Sequence, residues 1–521
     1  MAERRFDLLV IGAGASGACL AYEAVRRGLS VAVLEAADIA SGTSSRSTKL
    51  LHGGVRYLEL AFKTLDLAQL NLVREALLER GHWLREAPFL AHRLELALPT
   101  SHRFAQAYYR IGLGMYDALS GRQGIGSSRQ LNQQQLQQAL PQLKPCKGAV
   151  AYSDGQFNDA RLNLLLALTA ESAGAVLRCG CRVVELEKDA SGRIDAAVSE
   201  DSNGTRERWN ASTIVNATGI GADAIRRMAD RDAEPRMLTS RGTHLVLKEQ
   251  LCPADLGLLV PSTDDGRVLF MLPFFGHTLV GTTDQPCEQA SATLPSEEEE
   301  TYLLDYVNRW FPSATPVSVS SRWAGGRPLL RPAGDGLDSS RVVREHDVET
   351  LPCGLVSLMG GKWTTCRPMA LDTLKAVQKQ SSRSFAQPQQ LPLLGAAASI
   401  DATRTALESQ RVQLQTLLPD TRQQREQIAH LQADHGLMAA PLIEAAKPAM
   451  REPLSSVIPI CEAEIHHAVT REHARTCEDV LARRFRLAMV DNAEAQRLTG
   501  MVQGVLDQVA STSPINHQLK P

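Results

Sequence analysis

The chain has 521 residues, 44% apolar and 22% charged, an ordinary globular composition far from disorder. It is well beyond the roughly 250–300 residues at which a single hydrophobic core stops growing, so two or three domains are expected. Lys and Arg number 56 against 58 Asp and Glu, a balance that argues against a dedicated nucleic-acid binder.

In chain order, Asp7–Ile11 is a short apolar run with the character of a buried parallel strand. A glycine-rich turn, a helix over Ala18–Arg27 and a β-branched strand over Ser30–Leu34 complete a βαβ unit. Leu60–Glu86 has helical periodicity, Leu131–Leu140 reads as an exposed Gln-rich helix, and Leu162–Ala173 is helical ahead of the strand Arg182–Leu186. Thr213–Ala217 is again a buried strand, breaking into Gly219 and Gly221. From about Pro235 the pattern alternates. Thr243–Leu247, Leu258–Pro261, Val268–Pro273 and Thr278–Gly281 are short strands separated by turn signals such as Asp264-Asp265-Gly266. Leu355–Met359 is a last parallel-type strand, with Thr364–Lys379 helical behind Gly360-Gly361. Gln380–Gln390 is a polar linker, and the remainder is helical.

The ten cysteines form no CxxC, and Cys179-Gly-Cys181 has no partner pair at zinc spacing. Reduced thiols in a cytoplasmic protein are expected, with no metal. The opening MAERRFDLLVIGAG lacks a signal-peptide layout. No apolar run reaches the roughly 20 residues that span a bilayer, so any membrane contact is expected at a surface.

Gly12-Ala13-Gly14-Ala15-Ser16-Gly17 lies between strand and helix. Gly12 permits the tight turn, Gly14 lets a pyrophosphate approach the backbone, and Gly17 lets helix and strand pack closely. Glu35, ending the second strand, is placed to accept hydrogen bonds from ribose hydroxyls. These features point to a dinucleotide without separating FAD from NAD. The separation comes from Thr43-Ser44-Ser45-Arg46-Ser47-Thr48-Lys49, whose hydroxyls and cations suit further phosphate and ribitol oxygens. Asn216-Ala217-Thr218-Gly219 and Gly360-Gly361-Lys362-Trp363-Thr364-Thr365 are two later strand-to-turn sites. A helix start at the last would favour negative charge on a reduced flavin.

Together with Thr43–Glu59 (TSSRSTKLLHGGVRYLE), Gly281-Thr282-Thr283-Asp284, Gly325-Gly326-Arg327-Pro328-Leu329, Asn158–Leu162 and the C-terminal REHARTCEDVLARR, these residues resemble the FAD-dependent glycerol-3-phosphate dehydrogenases. The resemblance spans nearly the whole chain. It implies a Rossmann-like α/β FAD-binding domain (1–90, 150–232 and 325–380). An inserted antiparallel-sheet substrate domain (91–149 and 233–324) of the glutathione-reductase or D-amino-acid-oxidase kind accompanies it. An all-α C-terminal domain (391–521) completes the expected architecture. Cofactor contacts are expected from Gly12, Gly14, Ala15, Ser16, Gly17 and Glu35, and from Thr43, Ser44, Ser45, Thr48, Lys49 and Leu50. Val183, Ala217, Thr218, Gly219, Gly361, Lys362 and Thr364 complete that set.

The implied reaction transfers hydride from C2 of glycerol 3-phosphate to flavin N5. An anionic substrate needs cations, and Arg56, Arg327, Arg344 and Lys362 flank the glycine-rich segments, with Tyr57 beside them. Arg327 is assigned to the phosphate or the developing alkoxide. The hydroxyl proton needs a base near neutral pKa. His52, beside the cofactor loop, and His244, on the first strand of the inserted sheet, are the candidates, with His244 preferred. The resemblance implies quinone as electron acceptor, with an oxygen-using flavin oxidase of glycerol 3-phosphate or another small anion as the alternative. Arg483-Arg484-Phe485-Arg486 reads as an anionic-lipid contact on the cytoplasmic face of the inner membrane or as a solvated helix face. A homodimer and covalent flavin attachment stay open.

Overall fold

The computed structural model describes residues 5–55, 67–331, 346–381 and 384–512. Arg56, Tyr57 and Arg344 lie outside the described residues. The chain divides into two units, Met1–Leu393 and Leu394–Pro521.

In the first unit, β1 (Arg5–Ile11) enters the glycine turn and α1 (Ala15–Val25) leaves it. β2 (Val31–Glu35) returns parallel to β1, with Leu8 opposite Val31. Next come β3 (Leu50–Leu51), α2 (Leu67–Glu86), β4 (Ala91–Thr100) and α3 (Arg103–Leu119). β5 (Arg129–Asn132) runs straight into α4 (Gln133–Ala139). That helix starts where it does because Asn132 and Gln135 cap each other's backbone N–H groups. β6 (Gly148–Phe157) precedes α5 (Asp159–Ser172), followed by β7 (Val176–Cys179), β8 (Cys181–Lys188), β9 (Ile194–Asp201), β10 (Arg206–Asn216) and α6 (Ala222–Ala229).

The alternating region gives β11 (Met237–Leu247), β12 (Leu256–Val260), β13 (Leu269–Phe274), β14 (His277–Gly281) and β15 (Gln285–Pro286). α7 (Glu297–Trp310) follows, started by a second reciprocal cap between Ser296 and Glu299. β16 (Val319–Leu330), β17 (His346–Thr350), β18 (Val356–Gly360) and α8 (Cys366–Ser381) close the unit.

Two sheets are built from these strands. The first runs β17-β18-β10-β1-β2-β7, with β9 pairing both β10 and β8. β18, β10, β1, β2 and β7 are mutually parallel neighbours and read as near-continuous apolar runs, as strands covered on both faces must. The chain turns to opposite sides of β1 to reach β2 and β10. The glycine turn after β1 therefore opens at a topological switch point, where α/β sheets bind ligands.

The second sheet runs β15-β11-β14-β13-β12-β4-β6-β3, with β16 on β11 and β5 on β6. It is antiparallel except where β12 meets β4 in parallel. β3, β6 and β16 all pair in this sheet, so strand pairing crosses the sequence boundaries drawn at 90, 150 and 325. The reason is register. Ten consecutive pairs join β4 to β6, from Ala91–Phe157 to Thr100–Gly148, and carry the chain on to the first helix after them.

The second unit contains α9 (Ile400–Leu417), α10 (Gln424–His435), α11 (Ala439–Ala445), α12 (Glu462–Arg471), a π-helical stretch Asp479–Arg484, α13 (Leu487–Val490) and α14 (Asn492–Thr512). Leu414, Ile428, Leu431 and Ile443 form its core, each worth about 1.5–3 kcal/mol of burial. Arg483-Arg484-Phe485-Arg486 is neither lipid-facing nor a solvated face: all four side chains are buried. Arg483 pairs with Glu478 and Asp479, Arg484 donates to the Glu472 carbonyl at 2.6 Å, and Arg486 to the Ala482 carbonyl at 3.1 Å. Neighbouring acids and helix-end carbonyls thus turn the basic run inward.

Candidate active site

Gly12 has φ +103, and a Cβ there would sit 2.8 Å from the Ala217 carbonyl oxygen. A Cβ on Gly17 would come within 1.9 Å of the Gly12 carbonyl oxygen. The turn after β1, the end of β10 and the start of α1 therefore close on one another only with these glycines. Gly14 is the N-cap of α1 and provides no side-chain cap, so the helix end is left to polar partners from elsewhere. Glu35 accepts from the Ala13 N–H at 2.8 Å and the Ala37 N–H at 2.9 Å. Burial raises its carboxyl, while those two bonds oppose the shift. Its carboxylate is thus fixed beside the glycine turn, where a ribose would lie.

The Thr43–Lys49 segment ties the first and last of the glycine turns to β16. Ser44 Oγ accepts from the Ala15 N–H at 2.9 Å, and the Ser44 carbonyl accepts from Trp363 Nε1 at 3.0 Å. Thr43 Oγ1 donates to the Gly326 carbonyl. Behind this loop lies a buried charge pair. Lys49 Nζ donates to Asp159 Oδ2 at 2.7 Å and to the Ser45 carbonyl at 2.8 Å, and lies 4.4 Å from the Trp323 ring centre. The Lys49 ammonium is directed into the protein, so only its backbone is offered to the turn side. Ser45, Leu50 and Thr364 are also buried. Val183 packs in the core with Leu34 and Ile11, whereas Ser16, Thr218, Gly361 and Lys362 are half-buried at the turns.

A cavity of about 410 Å³ opens between this loop and the second sheet. Thr48 and His52 line it from the loop side, and Arg327, Arg267, Phe270 and Thr282 from the sheet. Arg327 is held on three sides. Nη1 donates to Asp284 Oδ1 at 2.8 Å, and Nη2 donates to the Thr283 carbonyl at 2.8 Å and to Thr282 Oγ1 at 3.1 Å. Asp284 is further bonded by Ser240, and its carbonyl accepts from Arg267 Nη1 at 2.9 Å. The Gly281-Thr282-Thr283-Asp284 motif therefore aims the Arg327 fork.

The two histidines occupy different places. His52 lines the cavity. His244 is buried on β11, stacked on Trp323 at 4.2 Å, with Nε2 3.0 Å from Thr48 Oγ1. Burial, with the Lys49 and Arg327 charges, pushes the His244 imidazolium well below its usual range, so the ring is neutral. His244 meets the cavity through the Thr48 hydroxyl.

Reading the sequence missed Arg267, Asp154 and Tyr152 on the cavity wall. Arg267 closes the Asp264-Asp265-Gly266 turn, and that turn signal placed it beside the strand pair. Asp154 gave no local signal. It binds Arg80 at 2.7 Å and Tyr116 at 2.9 Å, and the Tyr116 hydroxyl accepts the Gly53 N–H at 2.7 Å. Burial pushes the Asp154 carboxyl up to about 6, against the Arg80 charge.

The glycine cradle, the fixed acid at the end of β2 and a cation-bearing cavity alongside fit a dinucleotide with a flavin end. Comparison with known proteins agrees. Residues 7–366 match the FAD dependent oxidoreductase family, and residues 386–514 match the C-terminal domain of alpha-glycerophosphate oxidase. The chain is 38% identical over 519 residues to a mitochondrial glycerol-3-phosphate dehydrogenase of Arabidopsis thaliana, covering 96% of this chain and 82% of that one. It is 37% identical over 508 residues to the mitochondrial glycerol-3-phosphate dehydrogenase of Homo sapiens, covering 94% and 68%. Among solved structures, the glycerol-3-phosphate dehydrogenase from Bacillus halodurans complexed with FAD superimposes with a TM-score of 0.78 at 26% identity. That match covers 98% of this chain and 92% of the other.

Proposed function

Because the chain belongs to the FAD-dependent oxidoreductases and, within them, to the glycerol-3-phosphate dehydrogenases, we propose that its cavity oxidises sn-glycerol 3-phosphate to dihydroxyacetone phosphate. The observation that carries this reading is the Arg327 fork, buttressed by Asp284 and facing a cavity bordered by the cofactor loop. When bound, FAD supplies the acceptor for the hydride that leaves C2. Gly12, Gly14, Ala15, Ser16 and Gly17 would hold its pyrophosphate and Glu35 its ribose. The Thr43–Leu50 segment, Ala217–Gly219 and Gly361–Thr364 would hold the rest.

The chain's own groups divide the remaining work. Arg327 and Arg267 attract the substrate dianion, and the Arg327 guanidinium presents a planar donor fork to phosphate or to the developing alkoxide. Arg56, Arg344 and Lys362 supply further cations. The C2 hydroxyl proton goes to a histidine. Lining of the cavity supports His52 as that acceptor, whereas burial and neighbouring cations make His244 a weak base that fixes the Thr48 hydroxyl. Leu98, Leu259 and Phe270 give the cavity an apolar wall.

Anaerobic mixing tests the substrate: glycerol 3-phosphate bleaches the flavin absorbance, and amino acids or 2-hydroxy acids do not. Arg327→Ala is expected to keep the protein yellow while lowering the rate of that bleaching at least about 100-fold, the scale of losing a transition-state donor. An unchanged bleaching rate would remove Arg327 from the site.

Quinone at the cytoplasmic face of the inner membrane is the acceptor in this reading. Among the described residues no helix is long and apolar enough to cross a membrane. A surface seat is supported by α3, where Phe104 (85% exposed), Tyr108 and Ile111 (66% exposed) follow one another at helical spacing beside exposed Arg110.

A further inference from the structure

The oxidation chemistry draws on the first unit and leaves a group of buried polar side chains in the second without a role. His435 ends α10, His467 lies on α12, and Glu472 caps the C-terminus of α12. One ligand atom from each lies within 4.8 Å of the others. His467 Nε2 is already 3.4 Å from Glu472 Oε1, and the two imidazoles stand edge to face with ring centres 5.6 Å apart. His435 and Glu472 are buried, while His467 is about a quarter exposed and opens the group to solvent.

We propose that His435, His467 and Glu472 bind a divalent transition-metal ion of the zinc type. The donor set is two imidazoles and one carboxylate, which suits zinc, cobalt or nickel and is ill suited to magnesium or calcium. Bonds of about 2.0–2.2 Å to a tetrahedral ion need ligand atoms roughly 3.3–3.5 Å apart. The His467–Glu472 separation already meets this, and the His435 ligand atom lies within 4.8 Å of both. Three protein ligands leave the fourth position to water, on the side where His467 meets solvent.

Two further features point to a cation. The first is the support behind His435. Its Nε2 is 3.1 Å from Glu464 Oε1, a fully buried carboxylate that also meets His430 Nε2 at 2.9 Å and accepts the Cys461 N–H at 2.9 Å. A carboxylate on one ring nitrogen fixes the tautomer and orientation of the imidazole, the usual outer-shell arrangement of a metal-bound histidine. The second is helix polarity. His435 is the last residue of a twelve-residue helix and Glu472 caps a ten-residue one, so the site gathers two helix C-terminal ends, whose carbonyls favour positive charge. Arg484, whose Nε lies 3.8 Å from Glu472 Oε2 and whose Nη2 donates to the Glu472 carbonyl, fixes the backbone of that residue. The ion would join the end of α10 to the end of α12 within the helical unit.

The test uses the full-length, FAD-loaded protein, stripped with a chelator and titrated separately with Zn²⁺ and Co²⁺. About one Zn²⁺ per chain should survive dialysis, and Co²⁺ should give the visible ligand-field bands of a four-coordinate nitrogen and oxygen site. His467→Asn, at the quarter-exposed position where folding is least at risk, should weaken binding at least about 10-fold while the flavin spectrum stays unchanged. Glu464→Gln, which touches no metal, should weaken it by about 10–100-fold, the range for outer-shell partners. Absence of stoichiometric binding by the wild-type chain, or equal binding by His467→Asn, would overturn the proposal. Because the readouts are metal content and the cobalt spectrum, the result does not depend on the substrate of the first unit.

Discussion

The Lys49 side chain shows how a residue can be named by its neighbours and still face the other way. Its position after five hydroxyl-bearing residues suggested a phosphate contact, yet its ammonium is buried against Asp159 and the Trp323 face. Breaking such a pair by removing one partner costs about 3–5 kcal/mol, because the other charge stays buried. The same Trp323 stacks on His244, so Lys49 and His244 share one indole. Proton abstraction can be assigned by variants: His52→Asn should lower kcat/KM at least about 100-fold. His244→Asn should lower it less and leave the shape of its pH profile in place. The reverse ranking in steady-state rates would make His244 the base. What was legible at this scale was the placement of short motifs, namely Gly12–Gly17, Glu35 and Gly325–Arg327. Asp284 and Arg267 were half-legible, since they stand in a motif and a turn already noticed. Asp154 was not, because a buried acid is recognised only through Arg80, 74 residues away, and Tyr116, 38 residues away.

Among the elements, those with a strict period were found and those whose signal lies in their ends were not. The parallel strands β1, β2, β10 and β18 were apparent as apolar runs, and β11 to β14 as an alternating series. α7 went unread although Ser296 and Glu299 carry a capping box in plain sequence, because four glutamates in a row mask its apolar positions. β4 and β6 were missed because their partners are each other across a 47-residue gap, a pairing that composition does not encode. α3 was unread too: Leu113 and Tyr116 are buried while Phe104, Tyr108 and Ile111 are exposed, which breaks the one-sided pattern of a core-facing helix. The membrane seat makes a direct expectation for that element. Replacing Phe104 and Ile111 together by Ser should leave the melting temperature nearly unchanged and reduce cosedimentation with anionic vesicles several-fold, while reaction with a water-soluble dye acceptor persists. Unaltered cosedimentation would exclude α3 as the contact.

At the scale of the whole molecule, the distinction between a mixed α/β unit and an all-helical one was visible in the loss of strand signal after residue 390. Burial inside each unit was not, as the inward turn of Arg483–Arg486 demonstrates. Global stability should carry an acid-side slope from His82. Burial, with Arg367, Arg85 and Arg26 nearby, pushes its imidazole from the ordinary 6.5 to about 3. The unfolded chain therefore binds the extra proton between these values, and stability falls as pH drops from about 6.5 toward 3. His82→Gln should flatten the denaturant midpoint against pH over that window, and an unchanged slope would assign the acid loss to other groups. One consequence of the Thr43–Lys49 loop concerns time rather than space. Its clasping partners, the Gly326 carbonyl and the Trp363 indole, lie 283 and 319 residues further along the chain. A ribosome has thus made the glycine turn long before it makes the residues that close over it. The cradle is the first part of the protein to be synthesised but is closed only by residues made far later, so cofactor capture belongs to a chain whose first unit is nearly made rather than to an early nascent one.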